Sequence, residues 1–307
     1  MALIKKPYEL QFQPKLKALI YGEPGTGKTT LAFSALKPLL IDCDGGLHRL
    51  NYGHLRDAVQ VESYEDVLNL FNEDLREYET IIFDTGGKLL DYMAQYIIKN
   101  NPKAGMRNGT LSLKGYGERK QEFSALCKRI SALNKHVIFV AHQKTETEND
   151  TKRYVPLFGG SNYDDLVTEL DLVGYMKMIG KTRTITFNPT EINDGKNTCN
   201  LPEEIALPVV VDAEGNALDN TFFTEIINRY THRIKNNQQE GIKYNNLIEE
   251  FKANLLKAQT ADDLNEILAS IGKLEHIGTS KIKCKQMLLQ YSQKLGINFD
   301  KEQAKFV

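Results

Sequence analysis

Gly22-Glu23-Pro24-Gly25-Thr26-Gly27-Lys28-Thr29 fits the pattern G-x-x-x-x-G-K-[ST] at every position, and Thr30 follows it. Glycines at this spacing let backbone N–H groups turn inward around a β-phosphate. The lysine then reaches the β- and γ-phosphates, and the hydroxyl after it ligates Mg²⁺. Lys28 is therefore expected on phosphate, Thr29 on the metal, and Gly22 through Thr30 around a nucleotide. Asp84 closes the apolar run Thr80-Ile81-Ile82-Phe83. Ligands of open α/β sheets collect at the carboxyl ends of the strands, so this carboxylate is expected beside the phosphate loop, holding Mg²⁺ through a water. The plainer alternative is a strand-end aspartate that caps the next helix.

The elements around these residues point to one architecture. Leu16–Tyr21 (LKALIY) reads as a buried strand running into the glycine-rich loop, and Thr29–Leu36 as a helix stopped before Pro38. That context, strand then loop then helix, belongs to a phosphate loop, and the helix N-terminus adds partial positive charge. Leu39–Ile41, Thr80–Asp84 and His136–Ala141 are further strands. Between them lie a helix behind the Ser63-Tyr64-Glu65-Asp66 capping box, another over Leu89–Ile98, and a stripe of Phe123, Leu126, Ile130 and Leu133. Alternating strands and helices predict an α/β core with a mostly parallel sheet and helices on both faces. Residues 100–117 and 145–165 lack a period and are expected as loops. Leu172–Ile179 and Thr182–Phe187, separated by Gly180-Lys181, read as a hairpin. Polar residues 236–241 suggest a linker, which gives a core over 1–235 and a small helical accessory domain over 236–307, with Thr260–Asp263 capping one of its helices.

Composition narrows the class further. Of 307 residues, 41 % are hydrophobic and 26 % charged, as in ordinary globular proteins. Net charge is −1, so any nucleic-acid contact must come from local patches. No apolar run approaches membrane-spanning length, and the N-terminal stretch lacks a signal-peptide core. Cys43, Cys127, Cys199 and Cys284 include no C-x-x-C pair and are expected as reduced thiols of a cytoplasmic protein.

A resemblance adds to this. The second strand ends Ile41-Asp42-Cys43-Asp44-Gly45-Gly46-Leu47, where RecA-like recombinases have Ile-Asp-Ala-Glu. Asp44 matches the glutamate that polarises the attacking water there. Thr85 follows Asp84, so the glutamate that follows the Walker B aspartate in ordinary AAA+ ATPases is absent. The fourth strand ends Ala141-His142-Gln143-Lys144, similar to the strand-end Gln of RecA and the Gly-His of RadA, which sit near the γ-phosphate. The stretch from Lys17 to about Pro208 resembles phage and prophage RecA-like ATPases of the Sak-type single-strand annealing group, catalogued as AAA-type phage nucleotide-binding proteins. The segments GEPGTGKTT, LLIDCDGGLHRL, TIIFDT and VIFVAHQK carry the likeness. It implies a RecA-like P-loop NTPase core, ATP and Mg²⁺ as cofactors, Lys28, Asp44, His142 and Gln143 as catalytic residues, and Thr29 and Asp84 on the metal. It also implies a homo-oligomer, ring or filament, in the cytoplasm of a bacterial host. Lys196, in Gly195-Lys196-Asn197-Thr198, occupies the place of an inter-subunit cation, with Thr198 in place of the usual arginine. A slow ATPase follows from that loss.

In such proteins DNA loops follow the third and fourth strands. Lys99, Lys103, Arg107, Lys114, Arg119 and Lys120 surround Tyr116 in the first segment, a pairing of cations for phosphates with an aromatic for bases. Lys144, Lys152, Arg153 and Tyr154 are the candidates in the second, residues 144–163. Residues 228–307 carry a small excess of basic side chains. Single-stranded DNA is the expected partner, a single-strand-binding protein a further one, in phage recombination or replication. Two rivals stand beside this. A small-molecule P-loop kinase would use residues 99–120 as its lid. A helicase-loader-type partner protein would use ATP only as a switch.

Overall fold

The computed structural model describes residues 3–12, 14–148, 151–159 and 161–307. The chain divides into two compact units, Pro14–Thr231 and a second made of Met1–Gln13 with His232–Val307.

In the first unit, β1 (Lys17–Gly22) leads through the phosphate loop into α1 (Lys28–Ala32). Then come β2 (Pro38–Asp42), β3 (Ala58–Gln60), α2 (Tyr64–Leu70), β4 (Thr80–Asp84), α3 (Gly86–Asn100), α4 (Leu113–Ala132) and β5 (His136–Glu148). They are followed by β6 (Thr151–Pro156), α5 (Ser161–Glu169), β7 (Leu172–Ile179), β8 (Thr182–Thr186), β9 (Lys196–Asn197) and β10 (Glu204–Ala206). Among the described residues these strands form one sheet in the order β10-β8-β7-β1-β5-β4-β2-β3, with β6 on β5 and β9 on β7. The run from β7 to β3 is parallel, and β8, β10, β6 and β9 pair antiparallel. Strand periodicity sorts the side chains onto two faces. Leu19, Tyr21, Ile41, Phe83 and Phe139 join the core beneath α2, α3 and α4, whereas Ala18, Ile20, Leu40, Ile82 and Ile138 pack with Leu31, Phe223 and Ile227. The result is an α/β P-loop NTPase core with helices on both faces.

Three segments differ from the expectation. The helix expected over 29–36 ends at Ala32. Ser34 turns its Oγ to accept from Phe223 N at 3.0 Å, and its carbonyl accepts from Thr224 N at 3.0 Å, so the backbone there serves a distant partner instead of the helix. The loop expected over 100–117 becomes helix from Leu113, capped by Ser112. Gly115 is not a loop residue. A Cβ there would lie 2.2 Å from Ala104 O, so only glycine allows this close packing. The loop expected over 145–165 is largely the β5–β6 hairpin, which pairs Gln143 with Pro156 through Glu148 with Thr151. Thr145, Thr147, Thr151, Tyr154 and Val155 favour strand, but Thr147, Thr151 and Val155 pair with Lys152, Glu148 and Lys144, so hydropathy alone is silent. Residues 149, 150 and 160 of that segment lie outside the described residues.

The second unit holds the C-terminal helices. α6 runs unbroken from Phe222 to Leu255, so 236–241 is helix and not a linker. Gln, Glu and Lys are good helix formers, and Gly241 costs only about 1 kcal/mol, which the remaining turns offset. α7 (Ala261–Ile271) starts at a capping box of Thr260 and Asp263, as expected. α8 (Ser280–Leu295) follows, then a small ribbon of β11 (Phe299–Asp300) and β12 (Lys305–Phe306). Phe251, Leu255, Leu264, Ile271, Leu288 and Phe306 make its core. No helix among the described residues is long and apolar enough to cross a membrane. Cys43, Cys127 and Cys284 are buried free thiols.

Candidate nucleotide site and adjoining cleft

The phosphate loop closes where β1 ends. Gly27 is the N-cap of α1 at φ +85°, a left-handed conformation that side chains rarely adopt. Because α1 has only five residues, inward-facing N–H groups and Lys28, not a helix dipole, must supply the positive potential. Lys28 is buried and turns back on its own loop, donating to Gly22 O at 3.0 Å and Glu23 O at 2.7 Å. Burial lowers its pKa to about 8, an effect that Asp84, Asp44 and Glu23 only partly offset. Thr26 Oγ1 also donates to Glu23 O, at 2.9 Å, which holds the loop's turn.

Thr29 Oγ1 donates to Asp84 Oδ2 at 2.5 Å, so the two expected metal residues meet. Asp84 is 7 % exposed, and burial pushes its pKa up to about 6 against the opposing pull of Thr29 and Lys28. Both groups offer hard oxygens. One hydroxyl and one carboxylate, completed by phosphate oxygens and water, suit Mg²⁺, which favours one or two protein carboxylates over a full cage. Among the described residues no group of three or more His, Cys, Asp or Glu could hold a metal ion.

Asp44 is set by backbone. Cys43 N and Asp44 N both donate to Asp84 O, at 2.7 and 3.2 Å, so the tip of β2 is tied to the end of β4. Asp42 Oδ1 takes Gly45 N at 2.8 Å and shapes the turn beyond. Its Oδ2 is buried with no hydrogen-bond partner among the described residues. Arg49 reaches Asp44 at 3.8 Å. On the other side, β5 lies between β1 and β4, with His142 opposite Gly22. His142 therefore reaches the phosphate side; burial, then Lys28, lowers its pKa, and its Nδ1 has no partner among the described residues. Gln143 donates to Glu23 Oε1 at 3.3 Å, while its own Oε1 is likewise buried without a partner.

Apart from Glu23, Thr26 and Gln143, which are not part of its lining, these side chains line one cavity of about 340 Å³. It holds Gly25, Gly27, Lys28, Thr29, Thr30, Asp42, Asp44, Asp84 and His142 at one end and Leu47, Leu50, Asn51, His54, Val210 and Val211 at the other. The first end suits a polyphosphate and the second a nucleoside. Sequence reasoning missed that second end, as well as Arg183, which lines the same cavity from β8. Leu47 and Leu50 after Asp44, and the apolar run Val209–Val211, were the available signals.

A second cleft, of about 670 Å³, shares Asp42 and Asp44 with the first and extends to Lys88, Tyr92, Gln95, Tyr116 and Arg119. Tyr116 and Arg119 lie on α4, one turn apart, with the guanidinium 5.0 Å from the ring centre. Arg119 Nε is buried without a hydrogen-bond partner among the described residues.

The remaining candidates scatter. Arg107 is exposed on the loop before α4. Lys114 approaches Glu118 at 3.9 Å and Lys120 pairs with Asp165 at 2.9 Å, both on α4 instead of a loop. On the hairpin, Lys144 pairs with Glu146 at 2.8 Å, Lys152 is exposed and Arg153 pairs with Asp194 at 2.7 Å. The ring of Tyr154 stacks on Tyr175 at 5.6 Å and is spent on packing. Lys196 does not line the phosphate cavity of its own chain. It donates to Val167 O at 2.7 Å and Thr168 O at 3.3 Å, closing the end of α5.

No curated protein matches the chain. A family model described as an AAA domain, AAA_24, matches residues 14–199, which spans β1, the phosphate loop, both aspartate strands and the hairpin. With a phosphate loop, a hydroxyl and a carboxylate joined beside it and that match over more than half its length, the chain belongs to the AAA_24 family of AAA domains, nucleotide-binding proteins of the P-loop ATPase type.

Proposed function

We propose that this protein is an Mg²⁺-dependent ATPase of RecA-like type that acts on single-stranded DNA in phage recombination or replication, as a strand-annealing protein. One observation carries the proposal: Asp44 lines both the phosphate cavity and the cleft that ends at Tyr116 and Arg119. A change at the nucleotide can therefore be felt at the aromatic platform, and the reverse.

Bound Mg²⁺ would supply Lewis-acid neutralisation of phosphate charge, held by Thr29 and Asp84. Lys28 would leave its loop carbonyls for phosphate oxygens. Asp44 would orient the attacking water and accept its proton, and His142 would hydrogen-bond near the γ-phosphate through its unpartnered nitrogen. Tyr116 is half exposed and held against Arg119, which suits stacking on a base. Lys114, Lys120 and Lys144 sit in exposed ion pairs, which are weak and exchange readily for phosphate.

The test is a salt titration of single-stranded DNA binding with ATP, ADP and no nucleotide. Binding that depends on nucleotide and weakens steeply with salt is expected. DNA affinity that is absent, or the same in all three states, refutes the proposal. A small-molecule kinase is a second reading that the same cleft favours, because its acids Asp44, Glu62 and Asp91 could take a hydroxyl-bearing acceptor. ATP consumption that depends on an added acceptor and not on DNA would select it.

A further inference from the structure

We propose that Arg183 is a catalytic cation for the bound nucleotide's β- and γ-phosphates, acting within its own chain. This rests on the ATP-binding reading and adds the residue that completes the charge of the site.

Arg183 stands on β8, where strand pairing fixes its backbone. It lies opposite Met178 of β7, and its carbonyl accepts from Leu207 N at 2.8 Å. The side chain is half-buried and lines the phosphate cavity with Lys28 and Thr29. Its guanidinium lies against the phosphate loop itself, since a Cβ built on Gly27 would come within 2.6 Å of Nη1. Glycine at this position thus serves two needs, a left-handed turn and room for the arginine.

The guanidinium has no hydrogen-bond or ion-pair partner among the described residues. Two other arginines of this chain behave differently: Arg76 grips Asp74 at 2.6 Å and Arg153 grips Asp194 at 2.7 Å. An arginine stays charged under all ordinary conditions, and a half-buried charge without a partner is costly. Its planar fork of donors matches phosphate oxygens. The alternative source of charge, Lys196, spends its amine on the carbonyls of Val167 and Thr168.

In hydrolysis the water oxygen forms a bond to Pγ as the bond from Pγ to the β–γ bridging oxygen breaks. The water's proton goes to Asp44, and ADP leaves with added negative charge on its β-phosphate. Arg183, beside Gly27, meets that charge as it develops, so its contribution belongs to turnover more than to ground-state binding.

The test compares wild type, Arg183→Ala and Arg183→Lys for ATP affinity by displacement of a fluorescent nucleotide and for phosphate release at saturating ATP. Arg183→Ala is expected to bind ATP within a few-fold of wild type while turnover falls at least about 10²-fold, somewhat below the roughly 10³–10⁵ that an arginine finger supplies elsewhere. Arg183→Lys, which keeps the charge without the fork, should fall between them and guards against a folding defect in the alanine variant. Turnover near wild type in Arg183→Ala, or loss of affinity with turnover of the bound complex intact, overturns the assignment. Mixing Arg183→Ala with Lys28→Ala locates the cation. An arginine acting in its own chain leaves the mixture inactive, and restored turnover overturns the in-chain placement. A wild-type protein that binds no ATP overturns the nucleotide reading, whereas an unaffected Arg183→Ala beside an active wild type overturns this inference alone.

Discussion

Nucleotide affinity should depend on pH through Lys28. Its ammonium is buried and held only by two loop carbonyls, and burial brings its pKa down to about 8. A polyphosphate placed in the loop favours the charged form and raises that pKa again. With a free-state pKa of about 8, roughly nine-tenths of molecules carry the charge at pH 7 and roughly one-tenth at pH 9. Binding at pH 9 must therefore supply the missing proton. Affinity should fall about tenfold between pH 7 and pH 9, equal to about 1.4 kcal/mol. Calorimetry in two buffers of different ionisation enthalpy should find uptake of about half a proton per nucleotide near pH 8. Lys28→Ala should bind far more weakly and lose the pH dependence. Affinity that stays flat from pH 7 to 9, with Lys28→Ala binding as wild type, would refute the placement of Lys28 on phosphate.

Three further outcomes are expected. Asp44→Asn should abolish hydrolysis and spare ATP binding, whereas Asp84→Asn should weaken Mg²⁺-dependent binding; a metal titration of both variants separates the roles, and surviving turnover in Asp44→Asn within a few-fold of wild type defeats the first. Replacing Arg107, Lys114 and Lys120 together by Ala should reduce the log–log salt slope of single-stranded DNA binding by about 1.5–2, while Tyr116→Ala should cost roughly 1–3 kcal/mol and leave the slope unchanged; equal DNA affinity in all three proteins leaves these residues merely solvated. Acid stability should reveal two opposed groups. His136 accepts from Leu16 N at 2.9 Å and burial pushes its pKa down to about 4, so the unfolded chain binds the extra proton and stability falls as pH drops from about 6.5 toward 4. Asp84, pushed up to about 6, holds a proton in the fold over much of that window and acts the other way. Thermal melts of Asp84→Asn should therefore lose stability more steeply between pH 6.5 and 4.5 than wild type, and parallel curves would count against the Asp84 shift.

The phosphate loop, the strand-end carboxylate beside it and the α/β core were legible in the amino-acid sequence because each rests on local pattern. Gly-x-x-x-x-Gly-Lys-Thr is a contiguous backbone device, and Asp84 announces itself by ending an apolar strand. The capping boxes at Ser63 and Thr260 are equally local, since hydrogen bonds between residues three apart make them. What failed was read from polarity. Residues 236–241 are polar yet helical, and the hairpin after Gln143 carries charges on a strand. Gly115 reads as loop in the sequence because the carbonyl it must clear, Ala104 O, is eleven positions away and meets it only through folding. Long-range assembly decided the rest. Strand order set β5 beside β1 and so brought His142 to Gly22, 120 residues earlier in the chain. It also laid Arg183 against Gly27, a contact that no spacing in the sequence encodes. Local geometry follows from neighbouring residues, but which cation faces which phosphate loop depends on how the strands are ordered in the sheet.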